Sequence, residues 1–113
     1  MNITAESYGH AVILNVEGDV TEDSLSALRT AVEHQLRSEG VIDLVFNVEQ
    51  APFMDSAALE YLLNLQDALA ERFGQVRLMK VSETLGKILE INRLDSAFEK
   101  CRDVSEAVKA IEP

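Results

Sequence analysis

Residues 41–74 read VIDLVFNVEQAPFMDSAALEYLLNLQDALAERFG, and they predict a strand, a loop and a helix in succession. Residues 41–48 are apolar at nearly every position, which is typical of a central strand covered on both faces. Pro52 keeps Ala51 extended and so separates the strand from the helix. The helix is predicted to begin at or just after Ser56, to bury a stripe of leucines, to run to about Phe73 and to be terminated by Gly74.

The segments before residue 41 predict a hairpin followed by a helix. Residues 3–8 and 11–17 have strand-like composition, and Gly9-His10 between them forms a tight connection. From residue 21 the apolar spacing becomes helical, with Thr21 as the expected N-cap and Gly40 closing the helix. Glu22 and Asp23 are expected to complement the dipole of this helix. Its apolar positions are Leu25, Leu28, Val32 and Leu36.

After residue 74 the sequence predicts two further strand and helix pairs. The fourth strand is read from an alternation of apolar and basic residues, Val76, Arg77, Leu78, Lys80 and Val81. Ser82 is expected to cap a short helix, residues 98–101 to form an edge strand, and a terminal helix to run from about 105 to 111. The order ββαβαβαβα predicts an α/β fold, with a mixed sheet, helices packed mainly on one face and a single domain over residues 1–113.

The charge balance excludes several classes of partner. Twenty acidic residues against ten basic ones give a formal net charge of -10, so the surface repels nucleic-acid phosphates and anionic membranes. No apolar run approaches the roughly 20 residues that span a bilayer. The first residues lack the basic and apolar regions of a signal peptide. We therefore expect a cytoplasmic protein that binds no nucleic acid and does not insert into a membrane.

Residues that often carry chemistry do not form a recognisable catalytic pattern here. The single cysteine, Cys101, is expected to be a half-buried strand thiol, because no histidine neighbours it in sequence. His10 and His34 are far apart and are expected to be surface histidines without metal. The sequence contains neither a Walker loop nor a dinucleotide fingerprint. It predicts no enzymatic activity, no metal and no cofactor.

The stretch from Asn47 to Leu59, NVEQAPFMDSAAL, resembles the signature loop of STAS-domain anti-sigma factor antagonists. In that family a buried strand ends in a short loop, an aromatic or aliphatic pair follows, and Asp-Ser stands at the mouth of a helix. The corresponding residues here are Phe53, Met54, Asp55 and Ser56. Weaker similarity covers residues 17–20, 81–82 and 94–98, so the resemblance extends over almost the whole chain and implies the STAS fold.

The resemblance implies that Ser56 is a phosphorylation site. A hydroxyl at a helix N-terminus can also serve as an ordinary N-cap, and this alternative remains open from the sequence. A phosphate at that place would be held by free backbone N–H groups and by the helix dipole. It would add about -1.5 to -2 charges beside Asp55, in a loop that also carries Glu49, and would change any interface centred there.

The partner implied by the resemblance is an anti-sigma factor that is itself a serine kinase of the GHKL type. Unmodified protein would occupy this kinase and free its sigma factor, phosphorylation would reverse this, and a phosphatase would reset the switch. The expected partner-binding residues are Asp19, Phe53, Met54, Asp55, Ala57, Ala58 and Glu60.

Several alternatives remain at this stage. Phe53 and Met54 are equally well interpreted as core residues beneath the loop. Ala58 stands where family members with a working switch usually carry glycine, and its methyl could obstruct a partner that approaches the backbone. This departure favours a scaffold without chemistry at Ser56, in a stressosome-like or transporter-associated complex. A small-ligand or nucleotide sensor is the least favoured of these functions, because no stretch of the sequence resembles a phosphate-binding loop.

Overall fold

The computed structural model describes residues 1–38 and 40–111, and its elements follow the predicted order ββαβαβαβα. The described residues contain no helix with the length and apolar character needed to cross a membrane. The elements are β1 Asn2–Tyr8, β2 Ala11–Glu17, α1 Leu25–Leu36, β3 Asp43–Gln50, α2 Ser56–Ala70, β4 Val76–Met79, α3 Glu83–Ile91, β5 Glu99–Cys101 and α4 Val104–Ile111.

The strands form one five-stranded mixed sheet in the order β1-β2-β3-β4-β5. The hairpin strands β1 and β2 are antiparallel, and each later neighbour pair is parallel. Phe46 of β3 lies in register with Leu14 of β2 and Leu78 of β4. Since strand order follows chain order, each helix between two parallel strands returns the chain to the adjacent position in the sheet.

Both faces of the sheet are covered, but unequally. The larger core contains inward residues of β2 to β4, such as Leu14 and Phe46, together with Leu28 of α1, Leu62 of α2 and Leu89 of α3. On the opposite face Ile13, Val45, Met79 and Cys101 form a smaller cluster with Ala107 of α4. The predicted packing of helices mainly on one face is therefore confirmed, with α4 as the helix on the other side.

The first helix begins later than the sequence predicted. Its N-cap is Ser24, so the assignment of Thr21 was wrong. The Ser24 hydroxyl accepts from the Thr21 N–H at 2.9 Å and donates to the Asp19 carbonyl at 2.9 Å, which holds residues 21–24 in a turn. Glu22 and Asp23 lie in that turn and not in the first turn of the helix, so the dipole interpretation was also wrong. The helix ends at its C-cap Arg37, before Gly40, which was expected to close it.

The fourth strand is buried along its whole length, so buried and exposed residues do not alternate in it. All four of its residues are buried, including Arg77 at 7% exposure, because β3 and β5 flank the strand and helices cover both its faces. Val81 lies beyond the strand. Ser82 caps α3 as predicted, accepting from the Leu85 N–H at 3.1 Å.

The turn after α2 packs closely against the residue that precedes β3. The helix stops at Ala70, Phe73 adopts a left-handed φ of 64°, and the Gly74 N–H donates to the Leu69 carbonyl at 2.8 Å. A Cβ on Gly74 would lie 1.8 Å from the carbonyl oxygen of Ile42. Glycine is therefore required here by close backbone approach.

Candidate functional site

Two loops lie side by side at the carboxyl ends of β2 and β3. The Gly18 N–H donates to the Gln50 carbonyl at 2.8 Å, and the Val20 N–H donates to the Phe53 carbonyl at 2.9 Å. In return the Asp55 N–H donates to the Val20 carbonyl at 3.1 Å. These bonds bring the loop that contains Asp19 next to the Phe53–Ser56 segment. The predicted contact residue Asp19, which is exposed, therefore belongs to the same surface as Ser56.

The Asp55 carboxylate joins these loops to the start of α2. Its Oδ1 accepts from the Ala58 N–H at 2.9 Å, which makes Asp55 the N-cap of the helix. Its Oδ2 accepts from the Glu22 N–H at 2.9 Å. Both oxygens are thus engaged within the protein, and Asp55 is half-buried. Its contribution to the site is to position the neighbouring residues.

Ser56 is the first residue of α2 and its side chain is exposed. The cap is supplied by Asp55, so the N-cap interpretation of Ser56 was wrong. Among the residues that the structure describes, no hydrogen bond to the Ser56 hydroxyl is found. The hydroxyl can therefore react or bind without loss of an internal contact.

The pair Phe53 and Met54 divides between surface and core. Phe53 is 42% exposed, whereas Met54 is 3% exposed and forms a parallel bridge with Val20. Ala57 is half-buried and Glu60 is exposed. Ala58 is fully buried at 0%, so its methyl group lies in the core and cannot obstruct a partner at the surface. Met54 and Ala58 thus belong to the core, and the expectation that they touch a partner does not fit their burial.

A polar cleft of about 390 Å³ opens beside Ser56, between α1 and α2. Its lining includes Glu22, Ala57 and Glu60, and within it the Arg29 guanidinium lies 5.3 Å from the centre of the Tyr61 ring. Burial raises the pKa of Tyr61 to about 12; Glu33 acts in the same direction and Arg29 opposes it. No local sequence pattern predicts this pair, because the two residues lie on different helices.

The other singled-out residues lie away from this surface. Cys101 is buried in β5, and burial raises the pKa of its thiol. The His10 Nε2 lies 3.4 Å from Oδ2 of the buried Asp43, at the opposite end of the parallel strands. His34 is exposed on α1. Across residues 1–38 and 40–111, no three His, Cys, Asp or Glu side chains are grouped so that they could hold a metal ion.

Comparison with known proteins decides the family. The family model of the STAS domain matches residues 2–107. The chain belongs to the STAS domain family. The match includes both loops and all five strands, so the STAS fold expected from the Asn47–Leu59 motif is confirmed.

Several solved structures share this fold at low sequence identity. The anti-sigma factor antagonist SpoIIAA in its unphosphorylated form is 19% identical, with a TM-score of 0.81 over 97% of this chain and 96% of that one. An anti-sigma-factor antagonist (STAS) domain protein from Planctomyces limnophilus is 15% identical, with a TM-score of 0.81 over 96% of each chain. A sulfate transporter family protein from Wolinella succinogenes is 15% identical, with a TM-score of 0.74 over 89% of this chain and 84% of that one.

Proposed function

We propose that this STAS protein is an anti-sigma factor antagonist that binds a cognate anti-sigma factor kinase and is inactivated by phosphorylation of Ser56. The observation that carries the proposal is the separation of roles between two adjacent residues. Asp55 caps α2 and links it to the neighbouring loop, while the Ser56 hydroxyl is exposed at the first helical position. A kinase can therefore modify Ser56 without removing the cap that holds the helix start.

The surroundings of Ser56 explain how a phosphate would act. The helix N-terminus favours an anion locally, so the modified residue is compatible with the fold. The same phosphate would add about -1.5 to -2 charges to a surface that already carries Asp19, Glu22 and Glu60. A partner matched to the unmodified surface would then meet additional charge and a larger desolvation cost.

The proposed contact surface consists of the exposed and half-exposed residues around the hydroxyl. Phe53 is the aromatic candidate for an anchor, because it is exposed on the loop immediately before the helix. Asp19, Ala57 and Glu60 are the other exposed or half-buried residues of the proposed surface, and Asp55 joins the two loops that carry it. Met54 and Ala58 support this surface from the core. The pathway would operate in the cytoplasm, with a phosphatase restoring the unmodified protein.

The test is phosphorylation by candidate GHKL-type kinases from the same genome. The protein is incubated with each kinase and ATP, the modified residue is mapped by mass spectrometry, and kinase binding is measured before and after reaction. We expect incorporation at Ser56 and weaker binding of the product. Ser56→Ala should abolish incorporation, whereas Ser96→Ala, a control at another exposed serine, should not.

A second candidate function is a phosphorylation-independent scaffold in a stressosome-like or transporter-associated complex. The similarity to the Wolinella succinogenes sulfate transporter family protein favours this alternative. The two functions separate in the same experiment. If the protein binds a partner stably and no kinase adds phosphate to it, the phosphorylation switch is excluded and the scaffold function is supported.

A further inference from the structure

A second, predominantly apolar groove lies between the edge strand β1 and helix α1. It has a volume of about 520 Å³, with Ile3 and Ala5 on the strand side and Ala27 and Ala31 on the helix side. Leu14 of β2 contributes to its lining and is almost fully buried. His34 of the last helical turn and Arg37 at the C-cap border it, so the groove has polar groups at the C-terminal end of α1.

The strand beside this groove has an open edge. β1 contributes seven residues and pairs with β2 alone, so its outer backbone groups face away from the sheet. Its one charged residue is Glu6, and it contains neither proline nor lysine, the residues that most often protect an edge. The other edge strand, β5, has only three residues, two of them charged. The molecule therefore protects its longer edge with a single charged residue, directly beside an apolar groove.

We propose that the groove between β1 and α1 binds an extended segment of a partner protein, which adds to β1 as a sixth strand. Strand addition would satisfy the open backbone groups of β1, and every second side chain of the segment would enter the groove. The proposed segment has an aliphatic residue that packs against Ala31 and a carboxylate that binds His34 and Arg37.

Charge supports this choice of occupant. Residues 1–71 contain thirteen acidic residues and only two basic ones, Arg29 and Arg37, so a groove bordered by Arg37 is an exception in an acidic region. A carboxylate on the partner segment complements it. A second copy of this chain fits less well, because two copies with a net charge of -10 repel each other.

This surface is separate from the surface around Ser56. Ala27, Ala31 and His34 line the groove at β1, whereas Ser26 and Arg29 line the polar cleft at α2, so α1 stands between the two. Binding in the groove thus does not require phosphorylation or the proposed kinase. The two proposals are tested by separate experiments, and the result of one does not decide the other.

The test is selection from a random library of displayed eight-residue peptides with free C-termini, using the full chain as bait. We expect enrichment of peptides with alternating aliphatic residues and a terminal or side-chain carboxylate. Ala31→Leu fills the groove and should weaken the selected peptides at least about tenfold. Ala68→Leu, an exposed alanine on α2, is the matched control and should change binding little.

Two further measurements locate the peptide. Hydrogen–deuterium exchange should slow at residues 2–8 when the peptide binds, because strand addition protects their outward N–H groups. Arg37→Gln should weaken binding several-fold, whereas Arg72→Gln, in the turn after α2, should not. Thermal unfolding of each variant confirms that it is folded.

The proposal is overturned if no peptide is enriched, or if enriched peptides bind Ala31→Leu as tightly as the parent protein. Binding of decanoate in the groove without peptide enrichment would assign it to small amphiphiles instead. Concentration-dependent dimers that slow exchange at β1 would assign the edge to a second copy of the chain.

Discussion

Asp55 and Ser56 are adjacent in the chain but have opposite structural roles. The carboxylate of Asp55 accepts two backbone N–H bonds, from Ala58 in its own helix and from Glu22 in the neighbouring loop. The Ser56 side chain is exposed at the helix start. The sequence motif predicted that both residues belong to the site, but it could not divide the roles, because Asp and Ser are equally good caps.

Replacement of Asp55 by alanine should destabilise the fold, because it removes the helix cap and leaves the Glu22 N–H without its acceptor. The expected loss in the free energy of unfolding is about 1–3 kcal/mol. Ser56→Ala should change the same quantity by less than about 0.5 kcal/mol. Urea denaturation of the two variants and the parent measures both. Equal losses from the two substitutions would contradict the separation of roles.

Tyr61 should make stability fall as the solution becomes strongly basic. Its pKa is raised from 10.0 to about 12, chiefly by burial, so the folded chain retains the phenol proton while an unfolded chain loses it. The unfolded state then binds fewer protons, and the free energy of unfolding decreases as the pH rises from about 10 to 12. Tyr61→Phe should show a smaller decrease over this range in parallel urea titrations. Identical pH slopes for the two proteins would show that Tyr61 ionises normally in the fold.

The number and order of the elements followed directly from the sequence, because apolar periodicity reports which residues face a core. Leu25, Leu28 and Val32 are buried on α1, and Leu59, Leu62, Leu65 and Leu69 are buried on α2, as their spacing predicted. Leu36 and Leu63, which belong to the same predicted stripes, are only half-buried. The predicted first and last residues of the elements were less accurate. Residues 21–24 look like a helix start in sequence, but the Ser24 hydroxyl bonds to the Asp19 carbonyl and holds them in a turn.

The fourth strand shows why an alternating pattern can mislead. Arg77 has a long aliphatic stem, so it can be buried with its guanidinium near a polar group, here the Cys101 side chain. The sequence shows only the charge and the alternation, and neither reveals that Arg77 is buried. Contacts between distant segments, such as Asp55 with Glu22 and Arg29 with Tyr61, leave no local signal and became visible only in the fold.

Two glycines in different elements should respond oppositely to the same substitution. Gly74→Ala would place a Cβ 1.8 Å from the Ile42 carbonyl oxygen, so the turn after α2 must move away from the strand. We expect a loss of at least about 2 kcal/mol in the free energy of unfolding. Gly86→Ala, within α3, meets no atom closer than 3.9 Å and should stabilise the protein by up to about 1 kcal/mol. Thermal unfolding of both variants tests the pair; stabilisation by Gly74→Ala would refute the close approach.

Over the whole molecule, charge is distributed very unevenly along the chain. Residues 1–71 contain thirteen acidic and two basic residues, a balance of -11, and residues 72–113 contain seven acidic and eight basic residues, a balance of +1. Together they give the net charge of -10. The first part includes both loops of the Ser56 surface, so that surface lies in the acidic part of the chain, where repulsion between like charges outweighs attraction.

Salt should therefore stabilise the fold. Raising NaCl from about 20 to 500 mM shortens the screening length to a few ångströms and weakens the repulsion among the acidic residues. We expect a gain of about 1 kcal/mol, which corresponds to roughly 4 °C in Tm. A variant that combines Asp19→Asn and Glu60→Gln should be less sensitive to salt in calorimetry. A Tm that falls with NaCl would indicate that favourable ion pairs outweigh the repulsion.

The bond from the Glu22 N–H to Asp55 also gives the molecule a natural spectroscopic reporter. It joins residues 33 positions apart, and its acceptor is the residue next to the proposed phosphorylation site. A carboxylate acceptor shifts an amide proton resonance downfield, so the Glu22 signal registers how Asp55 is engaged. A phosphate on Ser56 that repels or displaces the carboxylate would move this one resonance. The proposed phosphorylation of Ser56 can then be followed in real time without a label at the site itself.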